Sequence, residues 1–135
     1  MATVKDVMSS GLVMVEPTAT VAEAATIMGG HHVGSALVCK EGKLAGIFTE
    51  RDIMHAMAQG QADASRASHV DRWMTPGPVT VPPEASVGEA LDLMLEGGFR
   101  HLVVVEGGAV VGVVSMRDLS GKMAKDRQGA QGAHA

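Results

Sequence analysis

Two seven-residue stretches carry side chains whose types and spacing could do chemistry. They are Gly46-Ile47-Phe48-Thr49-Glu50-Arg51-Asp52 and Gly112-Val113-Val114-Ser115-Met116-Arg117-Asp118, sixty-six residues apart. In each, an apolar run meets a hydroxyl (Thr49, Ser115), with an arginine two residues on (Arg51, Arg117) and a carboxylate three residues on (Asp52, Asp118). If a strand gives way to a helix at the hydroxyl, the helix end offers N–H groups and a positive dipole end, which favour phosphate. A carboxylate accepts from two hydroxyls at once, which suits a vicinal diol. The same spacing, hydroxyl-x-x-carboxylate, is also the signature of a helix capping box. The two roles are compatible, because the hydroxyl can cap while the carboxylate faces a ligand.

The elements that must position these groups also occur twice. Sliding the sequence by sixty-six residues aligns residues 4–54 with 70–120 without a gap, and sixteen of the fifty-one pairs are identical, among them Met8/Met74, Gly46/Gly112, Arg51/Arg117 and Asp52/Asp118. The chain is therefore read as a tandem duplication. Residues 4–8 and 70–74 form a helical turn; 13–15 and 79–81 form short strands closed by Pro17 and by Pro82-Pro83. Thr20 and Ser86, each with a glutamate three residues on (Glu23, Glu89) that makes a capping box, start amphipathic helices that Gly29-Gly30 and Gly97-Gly98 are expected to end. Strands at 36–39 and 44–48, and at 102–105 and 110–114, are joined by glycine-containing hairpin turns. Helices at 50–58 and 116–124 complete each copy. The fold class is α/β (α+β), two βαββα repeats packed sheet to sheet with pseudo-twofold symmetry. Residues 1–60 are the first repeat, 61–69 a linker, 70–125 the second repeat, and 126–135 a tail expected to be disordered.

Composition narrows the function. The chain has 135 residues, 46% of them hydrophobic and 19% charged, which suits a folded protein rather than a disordered one. A formal net charge of −4 and three aromatic residues (Phe48, Trp73, Phe99) argue against nucleic acid and anionic membranes as partners. One cysteine, Cys39, excludes an internal disulfide. No apolar run reaches the ~20 residues of a membrane span, and the first residues lack the apolar core of a signal peptide. A cytoplasmic location is the expectation.

The ordered set of features, present twice, resembles a pair of cystathionine-β-synthase (CBS) domains, a Bateman module. The features are the Met8 and Met74 turns, the Val-x-Val-x-Pro strand starts, Phe99-Arg100-His101-Leu102, and the Gly-x-x-Thr/Ser-x-x-Asp junctions. The resemblance covers residues 4 to about 123. It implies a non-enzymatic regulatory module that binds an adenosine-containing ligand (AMP, ADP, ATP, NAD(H) or S-adenosylmethionine) in clefts between the copies. Carried over residue by residue, Asp52 and Asp118 would hold ribose, and Thr49, Arg51, Ser115 and Arg117 would sit near phosphate. Adenine would be gripped near Val13 and Val79 and by Val33-Gly34-Ser35 and Phe99-Arg100-His101. No cofactor is required beyond the adenine nucleotide as regulatory ligand. A homodimer and an unidentified effector protein are the expected partners.

Two other readings stand beside this one. The first is a structural interaction module with degenerate ligand clefts. The second, a small metal or redox protein, rests on His31, His32 and Cys39, whose spacing matches no recognised ligand pattern. Arg100 and His101, where the first copy has Gly34 and Ser35, read either as a solvated strand end or as a phosphate clamp that makes the two clefts unequal. No Ser/His/Asp arrangement, Walker loop or dinucleotide glycine fingerprint is present.

Overall fold

A computed structural model describes residues 2–133. The elements run α1 (Val4–Val7), β1 (Met14–Val15), α2 (Val21–His31), β2 (Ser35–Lys40), β3 (Lys43–Thr49), α3 (Glu50–Ala58) and α4 (Ala62–Ala67). A 3₁₀ turn at Val70–Arg72 leads to β4 (Thr75–Pro76), β5 (Thr80–Val81), α5 (Val87–Gly97), β6 (His101–Glu106), β7 (Ala109–Ser115) and α6 (Met116–Ala133). This is a mixed α/β chain with one sheet ordered β1-β2-β3-β4 and another ordered β5-β6-β7.

The chain forms two compact units, and they are not the two sequence repeats. One unit is made of residues 1–11 and 79–135, the other of Leu12–Pro78. The repeats therefore exchange their first segments. Val4 donates its N–H to the Ala85 carbonyl at 2.8 Å, and Val70 donates to the Ala19 carbonyl at 2.8 Å. Both valines are fully buried, Val4 among residues of the second repeat and Val70 among residues of the first.

The identical glycine and methionine of the two repeats meet in this exchange. A Cβ on Gly46 would stand 2.5 Å from the Met74 sulfur and 2.8 Å from the Thr75 carbonyl oxygen. A Cβ on Gly112 would stand 2.5 Å from the Met8 sulfur and 3.1 Å from the Ser9 carbonyl oxygen. Only glycine allows the exchanged backbone to pair there: Gly46 aligns with Pro76 in the β3–β4 ladder, and Ser9 bridges Val113 beside β7.

Within each unit the sheet packs a helix-facing core. Val13, Val15, Val21, Met28, Ala36, Val38 and Phe48 form one; Val81, Val87, Met94, Leu102, Val104, Val114 and Leu119 form the other. Leu37, Ile47, Val103 and Val113, on the alternate face of their strands, are buried as well. Burial on both faces is why these strands read as continuous apolar runs rather than alternating ones.

Four local features differ from the sequence reading. Gly29-Gly30 lies inside α2; the helix ends at His32, which takes the left-handed conformation (φ 55°), and Val33 donates to the Met28 carbonyl at 3.0 Å. Glycine permits a helix to end but does not require it, and the residue that turns left-handed is the one that satisfies the last carbonyls. Ser86 accepts from the Glu89 N–H without the reciprocal bond of a full capping box. The linker folds a short helix, α4, and the Trp73 indole N–H donates to the Ser68 hydroxyl at 2.9 Å beside it. Finally, α6 continues to Ala133, so the stretch expected to be disordered is helical through that residue, with His134 and Ala135 outside the described residues. The good helix formers of that stretch, Ala, Arg and Gln, outweigh its two glycines.

Substituting Gly112 or Gly46 by alanine should cost about 1–3 kcal/mol through overpacking at the exchanged methionine. Gly29→Ala, which meets nothing within 4 Å inside α2, should instead stabilise by about 0.5–1 kcal/mol. Urea unfolding of the three variants measures both signs.

Candidate functional site

Each unit holds one complete strand-to-helix junction. In the first, Thr49 is the last residue of β3 and the N-cap of α3, and it lies opposite Ser35 at the start of β2. The Thr49 N–H donates to Asp52 Oδ2 at 2.9 Å, and the Thr49 hydroxyl donates to the same oxygen at 3.2 Å. In return the Asp52 N–H donates to Thr49 Oγ1 at 3.4 Å. The Glu50 N–H donates to the Gly34 carbonyl at 3.1 Å, which ties the start of β2 to the start of α3.

The second junction repeats this plan. Ser115 lies opposite His101; the Ser115 N–H donates to Asp118 Oδ2 at 2.9 Å and the Asp118 N–H donates to Ser115 Oγ at 3.1 Å. The Met116 N–H donates to the Arg100 carbonyl at 2.8 Å. The structure thus brings Gly34, Ser35, Thr49, Arg51 and Asp52 together in one unit, and Arg100, His101, Ser115, Arg117 and Asp118 in the other. Arg51, Arg100 and Arg117 are exposed, whereas the hydroxyls and both aspartates are half-buried.

Two consequences follow for chemistry. Both carboxylates serve the capping box, so capping falls to the carboxylate as well as to the hydroxyl. A carboxylate has about four acceptor sites on two oxygens, and a cap at Oδ2 does not exhaust it. Of the first three N–H groups of each helix, two already have protein acceptors: those of Glu50 and Asp52 in α3, those of Met116 and Asp118 in α6. The helix ends therefore offer an anion less than bare termini would, and side-chain charge matters more.

The remaining sequence candidates divide by burial. Val13 is buried in the core, and its carbonyl accepts from the Leu37 N–H at 2.8 Å. Its partner Val79 is 39% exposed, and its carbonyl accepts from the Val103 N–H at 3.1 Å. Val33 and Phe99 pack partly buried against their cores. Sequence reasoning passed over Glu50. Its carboxylate lies against Gly34, where an added Cβ would stand 3.3 Å from the Glu50 carboxyl carbon. The signal was present in the repeat alignment, where Glu50 faces Met116 just as Gly34 faces Arg100.

The comparisons with known proteins match this geometry. The sequence model of the CBS domain fits the chain twice, over residues 4–59 and 67–125. The chain belongs to the CBS-domain family, as a tandem pair. It is 36% identical over 121 residues to CBS domain-containing protein YhcV of Bacillus subtilis, covering 89% of this chain and 84% of the relative. Among solved structures, the CBS-domain protein ATU1752 of Agrobacterium tumefaciens superposes with a TM-score of 0.80 at 32% identity, covering 90% of this chain and 99% of that one. The CBS domain pair of protein MJ0100, crystallised with 5′-methylthioadenosine and S-adenosyl-L-methionine, superposes with a TM-score of 0.81 at 26% identity, over 93% of this chain and 98% of that one.

Among the described residues no three His, Cys, Asp or Glu side chains gather as metal ligands, and no helix is long and apolar enough to cross a membrane. Burial pushes the Cys39 thiol above its ordinary pKa. The thiolate is the nucleophile, so a raised pKa leaves less of it at neutral pH. Alkylation of Cys39 by iodoacetamide should be slower at pH 7 than that of a free cysteine and should accelerate as pH rises through the elevated pKa. Because Cys39 is the one cysteine of the chain, mass spectrometry reads its rate directly.

Proposed function

We propose that this CBS pair is a non-enzymatic sensor that binds an adenosine-containing ligand at its junctions and passes the change to an effector protein. The observation that carries the reading is the complete junction in each unit, with a half-buried carboxylate (Asp52, Asp118), a hydroxyl opposite a strand start, and an arginine beside them. Support also comes from the MJ0100 pair, whose ligands are 5′-methylthioadenosine and S-adenosyl-L-methionine. The aspartates would take the ribose diol, and Thr49, Arg51, Ser115 and Arg117 would meet the 5′ substituent. Adenine would lie along the backbone of Val13 and residues 33–35, or of Val79 and residues 99–101. A ligand regulates only through unequal affinity for two states of the protein; the working assembly in this reading is a homodimer in the cytoplasm.

A second reading has one observation in its favour. Both aspartates are engaged as caps, as they would be in an interaction module whose ligand sites have degenerated. Titration calorimetry with AMP, ATP, NAD, 5′-methylthioadenosine and S-adenosylmethionine separates the two. The sensor reading expects at least one ligand to bind and Asp52→Asn or Asp118→Asn to weaken it about tenfold or more, the loss of a charge-assisted hydrogen bond. No binding by any of the five, with folded protein free of copurified nucleotide, leaves the interaction module.

A further inference from the structure

We propose that Glu50 sets the ligand charge accepted at the first junction, so that this junction takes an uncharged or cationic adenosine derivative while the second takes a phosphorylated one. The inference rests on the adenosine reading above and deepens it. Glu50 is the first residue of α3, next to the Thr49 cap. Its carboxylate lies over Gly34, with its two oxygens 3.4 and 3.5 Å from where a Cβ on that glycine would be. A side chain at position 34 would press on that carboxylate; glycine leaves it room.

The second junction reverses both members of the pair. Met116 stands where Glu50 does, and Arg100 stands where Gly34 does. The backbone is the same in each, since Glu50 bonds the Gly34 carbonyl and Met116 bonds the Arg100 carbonyl. The two sites thus share a frame and differ in charge. The first junction carries the carboxylates of Glu50 and Asp52 and the guanidinium of Arg51, whereas the second carries the guanidiniums of Arg100 and Arg117 and the carboxylate of Asp118. Protein acceptors hold two of the first three helix N–H groups at both junctions, so the helix end does not override this difference. A phosphate placed near Thr49 would meet a like charge. A phosphate placed near Ser115 would meet two opposite ones.

Titration calorimetry on the full chain with AMP and with 5′-methylthioadenosine, at low and physiological salt, tests this. In the unsubstituted protein AMP should fill one strong site, which Arg100→Gln weakens about tenfold. Glu50→Gln should raise AMP affinity at the other site about tenfold at low salt and less at physiological salt, since exposed charges are screened. The affinity for uncharged 5′-methylthioadenosine should stay within about twofold. Glu50→Met, which copies Met116, is the second variant should the first lose its fold, judged by its melting temperature. Two equal AMP sites in the unsubstituted protein, or AMP affinity unmoved by both Glu50 substitutions, would overturn the charge assignment and leave the sensor reading standing. If neither AMP nor 5′-methylthioadenosine binds the unsubstituted protein, the charge assignment falls, and the sensor reading falls with it only if ATP, NAD and S-adenosylmethionine also fail to bind.

Discussion

The close approach of a methionine to a glycine holds the rest of this structure in place. At Gly46 and Gly112 there is no room for a β-carbon, because Met74 and Met8 occupy it. That contact lets an exchanged segment lie beside the last long strand of each sheet, and it fixes where that strand is when the next helix begins. Three residues later the chain reaches Thr49 or Ser115, and the junction forms. The glycine of the junction motif therefore serves packing, while the hydroxyl and carboxylate serve the helix start. A binding site built here inherits both constraints.

The exchange also explains why the repeats depend on each other. A single repeat of about fifty residues buries little surface on its own. Val4 and Val70 are each fully buried in a core built mainly from the other repeat. Removing the first segment of one repeat would thus open the core of its neighbour, so the duplication folds as a reciprocal pair and not as two beads.

Function at the junctions is constrained by stability. The carboxylate that would hold a diol already accepts the N–H of the capping residue, at 2.9 Å in both units. In the proposed reading ligand and fold would share one group, which favours keeping Asp52 and Asp118 whichever role dominates. Freedom to vary lies next door, at positions 34 and 50 and their counterparts 100 and 116. Between the copies those positions differ in charge, Gly34 and Glu50 against Arg100 and Met116, and in the proposal above this gives two copies of one frame different preferences.

The sequence by itself determined a great deal. The sixty-six-residue offset identified the duplication, and hairpin glycines, proline stops and hydroxyl-x-x-carboxylate spacings placed nearly every strand and helix, because each is a local backbone requirement. The junction residues were legible for the same reason. What only the tertiary structure decided was non-local or depended on competition among neighbours. The exchange of first segments cannot be read from a repeat alignment, which pairs Met8 with Met74 but says nothing of the glycine each one meets. The end of α2 went to His32 rather than Gly29-Gly30, because the last carbonyls needed a left-handed donor at that place. Glu50 carried no assigned role in the sequence, and only the fold lays its carboxylate over Gly34. The offset between Gly46 and Gly112 is written in the chain; what those glycines make room for is set only by packing.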